Sequence, residues 1–474
     1  MRRKMLQLVM YLALASVPLA AASAAQTTSA PTQPTPQGAQ PSPVPQMPQP
    51  PAAPSPPQLP ATGAVQRMTV QDAEAQAVKN NPQTTLYHLI YLASNQVTRE
   101  EKSAYYPAIS GSLTAVAAQQ GSRLAAGNLN SPILLERGAG GVALSQLITD
   151  FGRTNNLVAA SALRAKAANM NAAATMDQIK LAVDEAFYNA LQTMAEQTVA
   201  EQTVKARQLV SDQITTLYQN KLRSQLDVSF ADANLAQAKL LLLDAQNNYQ
   251  AALSQLSQIL GYSAQQQFQL VDTESELKPP PDAVSQLEDA AFSNRPEILS
   301  QSYEYQADQH FQKAERDLLF PTVSALGVLG QAPYGSKFNG VQQFPTWYGA
   351  AGVNVNVPLF NGFLYAARSR EAEFRAQAAN QQLRDLKDKI ANDVRTSWLN
   401  AITAYNRIGV SQQFLNQSNL AFDLSQTRYN LGLSSIVELS QAQLQQTQAE
   451  IQFAAAKYQY RIAESVLRFE IAAP

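Results

Sequence analysis

The 474-residue chain has no cysteine, which removes disulfides, thiolate metal sites, thiol nucleophiles and an acylated N-terminal cysteine as lipid anchor. Histidine is nearly as scarce: only His88 and His310 occur, and they are not matched in the internal repeat described below. Each therefore reads as a helix-surface or packing residue rather than a ligand or general base. Charge is sparse too. With 15% charged residues and a formal net charge of -1, nothing is available to neutralise a phosphate backbone, so no nucleic-acid partner is expected. A glycine-rich phosphate loop and His/carboxylate metal spacing are also missing. No catalytic, cofactor-binding or metal site is expected, and the chain does not read as an enzyme. From Gly152 to Tyr218 no apolar run is long enough for lipid burial as a helix.

What is present begins with a targeting pattern. Arg2, Arg3 and Lys4 precede an apolar run from Leu6 to Ala22, and Ala22-Ser23-Ala24 supplies a small-residue cleavage site. Residues 1–24 thus read as a signal peptide of an exported protein, and its removal leaves a formal charge of -4. Residues 25–64 hold thirteen prolines between positions 31 and 60 among Gln, Thr, Ser and Ala. Such a stretch has little to bury and is expected to be an extended, solvated arm.

The rest is two copies of one unit, predicted over 65–260 and 284–474 with a linker at 261–283. Tyr429 to Glu438 reads Tyr-Asn-Leu-Gly-Leu-Ser-Ser-Ile-Val-Glu, and the same pattern lies 211 residues upstream at Tyr218 to Asp227. The offset also pairs Val183 with Val394, Phe187 with Trp398, Gly141 with Gly352 and Asp150 with Asn361. Nearer the start of each copy it becomes 214, pairing Asn80 and Pro82 with Asn294 and Pro296 and Tyr106-Pro107 with Phe320-Pro321. Long-period self-similarity of this kind outranks local signals.

Each copy carries a short helix, a second helix after an Asn-Pro or Asn-Arg-Pro break, a strand pair, and a long helical hairpin. Gly152 to Tyr218 contains no internal glycine or proline, which allows a helix of about 67 residues and on the order of 100 Å. In the second copy Leu383, Leu386, Ile390, Val394, Ser397/Trp398, Ala401, Tyr405 and Ile408 recur at spacings of three and four, the seam of a coiled coil. The Tyr429–Glu438 stretch is the hairpin tip. Gly432 accepts the left-handed conformation that ends the incoming helix, and Ser434 or Ser435 offers a hydroxyl to the outgoing one.

The strands alternate. Val353, Val355 and Val357 face one way and Asn354 and Asn356 the other, as in a membrane β-segment with an apolar outer and a wet inner face. Four strands cannot close around a lumen and would leave exposed edges; three chains would supply twelve. Phe344, Trp347 and Tyr348 at one end, and Tyr105, Tyr106, Phe320 and Phe360 at the other, are candidates for two interfacial aromatic belts. The competing architecture is a secreted or periplasmic coiled-coil scaffold. It accounts for the helices but not for strand pairs at equivalent places in both copies, and it would be released from membranes without detergent.

The repeated tip, Pro358-Leu359-Phe360-Asn361-Gly362 and Ile148-Thr149-Asp150-Phe151-Gly152-Arg153 together resemble the TolC-type outer-membrane efflux proteins, over about residues 65–472. The resemblance implies a mainly α fold with membrane β: a two-repeat channel-tunnel protomer. Its four strands would join a 12-stranded trimeric barrel, and its helices a long coiled-coil α-helical barrel. It further implies a homotrimer in outer-membrane lipid, partnered by a periplasmic membrane-fusion adaptor and an inner-membrane transporter, exporting small molecules or proteins. Asp227 and Glu438 would stand at the periplasmic entrance, either as a carboxylate ring that favours cations or simply as first-turn caps. Lys221, Ser224, Gly432, Leu433, Ser434 and Ser435 would form the adaptor-contacting tips. Two departures are visible. Lys221 replaces the glycine of the second tip, which puts an equivalent turn there in question, and Gln441 occupies a place where the family often has a further acid.

Overall fold

The structure is a computed structural model, and its described residues are 66–117, 137–272, 276–281, 283–335, 337–338, 341–342 and 347–472. The signal segment, the proline-rich arm and Phe344 lie outside them.

The first copy runs β1 (Gln66–Met68), α1 (Val70–Asn80), α2 (Pro82–Lys102), β2 (Ala108–Val116), β3 (Arg137–Thr149), α3 (Arg153–Gln219) and α4 (Gln225–Ile259). After β4 (Phe268–Leu270), the second runs α5 (Val284–Asn294), α6 (Pro296–Arg316), β5 (Thr322–Gly335), β6 (Lys337–Phe338), β7 (Val341–Gln342), β8 (Trp347–Asn356), α7 (Leu364–Asn430) and α8 (Ile436–Glu470). The helices match pairwise in length: 11 residues for α1 and α5, 21 for α2 and α6, 67 for α3 and α7, 35 for α4 and α8.

Local chemistry sets these boundaries. Thr69 caps α1 in a reciprocal box with Asp72, and Asn81 caps α2 by accepting from the Gln83 amide ahead of Pro82 at the first helical position. Both long helices start from two successive left-handed residues. In one copy these are Phe151 (φ 56) and Gly152 (φ 111), in the other Gly362 (φ 63) and Phe363 (φ 65). The glycine and phenylalanine have exchanged places, and both aromatic rings are left exposed.

Small side chains let the long helices pack closely. Ala160, Ala165, Ala167, Ala174, Ala186 and Ala190 line the buried face of α3, and the expected seam of α7 is buried at Ile390, Val394, Ser397 and Ala401. The 261–283 segment does more than link. Phe268 and Leu270 of β4 pair in parallel with β1 and enter the core beside Met68, Phe187 and Leu256. Tyr458 and Lys457 of α8 then hold Asp272, and the Trp398 indole donates to the Pro281 carbonyl at 2.7 Å.

The main sheet has the order β2-β3-β5-β8, all antiparallel. Its register places Ile109, Leu113, Val142, Leu144, Val353 and Val355 on one face and Ser110, Ser112, Thr114, Ser324, Asn354 and Asn356 on the other. The apolar face is exposed: Leu113 is 94% accessible. Strands β2 and β8 are open edges. Among the described residues no helix is long and apolar enough to cross a membrane, which says nothing of strands.

The most extensive contacts between the two copies are one-sided among the described residues. Helix α6 packs on both α3 and α7, and α8 packs on both α7 and α3, whereas α2 packs on α3 without comparable packing on α7 among the described residues. Burial records the asymmetry. Ser300 on α6 is 4% exposed while its repeat mate on α2, Leu86, is 52% exposed, and Leu89 and Ile90 lie open beside it.

Candidate functional site at the hairpin tips

The two tips are the same turn. In the first, the Lys221 amide donates to the Tyr218 carbonyl and the Leu222 amide to the Leu217 carbonyl, both at 2.8 Å. In the second, the Gly432 amide donates to Tyr429 at 3.0 Å and the Leu433 amide to Arg428 at 2.8 Å. This paired pattern is the Schellman arrangement, with a left-handed residue just past the helix end. Gly432 adopts φ 77 and Lys221 adopts φ 60, so the expectation of a different first turn is overturned. A lysine in this region carries strain of about 1–2 kcal/mol, which the two hydrogen bonds and the restart of the next helix outweigh.

Both outgoing helices restart on a serine, and the second alternative left open by the sequence resolves to Ser435. Ser224 Oγ accepts from the Asp227 amide at 3.2 Å, while Asp227 Oδ2 accepts from the Ser224 amide at 3.0 Å and from its hydroxyl at 2.8 Å. Ser435 Oγ accepts from the Glu438 amide at 3.3 Å. Here the acid does not reach back; Glu438 lies 3.5 Å from Arg428 Nε. Asp227 and Glu438 are thus brought to equivalent places, each with a local partner. Across both tips the cations Lys221, Arg223 and Arg428 outnumber them.

A contact the sequence reading missed joins the tips. Arg223 Nη2 donates to the Tyr429 carbonyl at 2.7 Å, and its guanidinium lies 4.0 Å from the centre of the Tyr429 ring. Burial, opposed by Arg223, raises the Tyr429 hydroxyl above its ordinary pKa. The repeat position of Arg223 is Ser434, and Tyr218 stays exposed where Tyr429 is buried, so the staple exists once per chain. Beneath it Ile214, Ala231, Tyr429, Ile436 and Leu439 form one apolar cluster shared by both hairpins. Farther up, Arg207 Nη2 donates to the Gln443 carbonyl at 2.8 Å and to Thr447 Oγ1 at 3.0 Å. Burial draws that guanidinium down to about 10 while Glu450 opposes the shift.

The tips also expose apolar side chains in matched pairs: Leu222 with Leu433 and Leu226 with Val437. Of these only Leu433 was among the expected contact residues. The signal for the others was available, since an apolar residue at a polar hairpin end recurs at the 211 offset.

At the sheet ends, Tyr105, Tyr106, Phe320, Trp347 and Phe360 are exposed. Phe151, Leu359 and Phe363 join them at the helix-proximal end. Tyr348 is a correction. It belongs to the polar face with Asn354 and Asn356, and its ring covers Gly330 and Gly141 rather than facing outward. Two glycines on neighbouring strands leave a trough that the ring fills.

Two family-model matches, at residues 75–262 and 287–472, carry the description outer membrane efflux protein. The chain belongs to this family. Among curated relatives of this outer membrane efflux protein, the outer membrane efflux protein BepC of Brucella suis is 22% identical over 84% of each chain. Outer membrane protein TolC of Salmonella enteritidis is 23% identical, and the aligned part spans about half of each protein, 55% of this chain and 54% of TolC. Among solved structures the outer-membrane channel OprN superposes with a TM-score of 0.75 at 16% identity, over 85% of this chain and 90% of OprN, which establishes the fold. The two family matches enclose both hairpin tips but not the proline-rich arm.

Proposed function

We propose that three copies of this outer membrane efflux protein form an exit duct through the outer membrane, loaded at its periplasmic end by an adaptor coupled to an inner-membrane transporter. The observation that carries it is the one-sided packing of the repeats. Among the described residues the most extensive contacts from the first copy to the second inside the chain, α3 on α6, α3 on α8 and β3 on β5, have no comparable reciprocal in α7 on α2, α7 on α4 or β8 on β2. A neighbouring chain supplies those reciprocals, and rotation by a third of a turn closes twelve strands into a barrel wide enough to hold water. The apolar sheet face then meets lipid and the Ser/Thr/Asn face lines the lumen. Exposed aromatics at the two sheet ends mark the lipid boundaries. The cargo is small molecules or proteins, delivered by the transporter.

The hairpin tips are the periplasmic entrance, and their matched apolar knobs are the adaptor contact. Complementing a deletion strain with Leu222→Asp/Leu433→Asp should leave outer-membrane trimers intact while sensitivity to exported drugs, metals or dyes returns to the deletion level. Full complementation by that variant rejects the adaptor contact. At the constriction Asp227 completes a capping box with Ser224, and Glu438 pairs with Arg428. With three cations beside them in each chain, Asp227→Asn with Glu438→Gln should change single-channel cation selectivity less than twofold; a larger drop restores the carboxylate-ring reading.

A further inference from the structure

The repeat reveals a place where the two copies differ in chemistry at a matched contact. In the second copy Glu288 of α5 receives two hydrogen bonds from Arg395 of α7, at 2.6 and 3.1 Å, which brace the short helix on the long one. The 214 and 211 offsets turn Glu288 into Glu74 and Arg395 into Asp184. Val183 and Val394, next to these positions, are both fully buried, so the matched pairs occupy the same site in the fold. The first copy therefore sets a carboxyl group against a carboxyl group, and both line the same cavity.

Their surroundings do not cancel the charge. The pair opens on a cavity of about 220 Å³ lined by α1, α3, the start of α6 and α8. Lys180 of α3 and Arg468 of α8 face it, but so do Asp177 and Glu297, and Arg295 is committed to Glu297 and Glu470. Glu185 and Glu464 add negative charge nearby. Ser465 lines the same cavity and opposes the effect of burial on Asp184, yet Asp184 Oδ1 is buried with no donor reaching it. Two carboxylates that share a buried cavity favour holding one proton between them, and Asp184 Oδ1 is an acceptor left open for it. Among the described residues no cluster of three His, Cys, Asp or Glu side chains could hold a metal ion instead.

We propose that the Glu74–Asp184 pair is a proton-dependent clasp that fastens α1 to the long helix α3 in acid and releases it in mild alkali, while the matched Glu288–Arg395 ion pair holds α5 at either pH. Burial, then the hydrogen bond and charge of Asp184, raise Glu74 to about 7 against the weaker opposing effect of Lys180 and Arg468. Burial also raises Asp184. For an acid raised on folding, the sign is fixed: the stabilisation is complete below the ordinary glutamate range and is lost as pH rises through about 7. The apolar face of α1, Val70, Ala73 and Ala77, keeps the helix in place, so the effect is local loosening rather than unfolding.

The test is hydrogen exchange of the full-length protein in detergent at pH 6 and pH 8, each amide rate divided by its intrinsic rate at that pH. Protection over residues 70–80 should fall about tenfold, the equivalent of one pKa unit, with little change over residues 284–294. Glu74→Gln, which donates without titrating, and Asp184→Arg, which rebuilds the ion pair of the other copy, should each abolish the step. An equal step in both helices, a step that persists in Glu74→Gln, or one removed by a chelator of divalent cations would overturn the clasp. The readout is local and independent of transport, so it stands or falls apart from the duct reading.

Discussion

Leu86→Glu/Leu89→Glu is expected to convert the proposed trimer, solubilised in detergent, into monomer. Both side chains lie on the open face of α2, with Leu86 52% and Leu89 56% exposed in the single chain. On α6 the equivalent face is occupied, because α6 fits between α3 and α7. Ser300 on α6 donates to the Ala167 carbonyl of α3, so the same arrangement between chains puts Leu86 and Leu89 against the neighbour's α7 near Ala378, where Phe374 is likewise exposed. Each leucine buried there contributes about 1.5–3 kcal/mol, and a carboxylate in its place is desolvated without a partner. The loss is on the order of 4–6 kcal/mol for each interface, and a ring of three has three interfaces. Sedimentation of the variant, with Lys102→Gln as a surface control, measures the change. A variant that still sediments as a trimer would remove α2 from the interface and with it the argument from repeat symmetry.

The repeat organisation is legible in outline from the sequence. The 211 and 214 offsets predict two hairpins, two strand pairs and two tips, because a repeat constrains both copies at once, and the alternation Val353-Asn354-Val355-Asn356 gives the faces of β8 directly. Single positions were harder. Lys221 argued for a different turn because its side chain opposes φ > 0, but the two Schellman hydrogen bonds and the Ser224 cap outweigh a preference of that size. Tyr348 reads as an interfacial aromatic from its place at a strand end. Its true orientation follows from parity, since it lies an even number of residues from Asn354. Arg223 carried no local signal at all, because its partner Tyr429 lies 206 residues away. The Glu74–Asp184 pair was present in the offsets all along, visible only when matched positions are compared for difference rather than for likeness.

Gly330→Ala should weaken the assembled barrel far more than Gly352→Ala, although both glycines sit in the same sheet. A Cβ on Gly330 would lie 2.4 Å from the Tyr348 ring and 2.8 Å from the Gly140 carbonyl oxygen, whereas a Cβ on Gly352 meets nothing within 4 Å. The ring can swing aside, at the cost of its packing over Gly141. The carbonyl belongs to the paired strand β3 and moves only if the ladder between β3 and β5 shifts. Overpacking of this kind costs about 1–3 kcal/mol, repeated in each chain of the proposed closed barrel. The heat needed to dissociate the proposed trimer in detergent should therefore fall clearly for Gly330→Ala and hardly at all for Gly352→Ala. Adding Tyr348→Ala to Gly330→Ala should restore only part of the loss, because the ring clash is relieved and the carbonyl clash is not. Equal dissociation temperatures for the two glycine variants would mean that neither the Tyr348 ring nor the Gly140 carbonyl crowds Gly330 in the assembled protein, and the inward orientation of that ring would have to be abandoned.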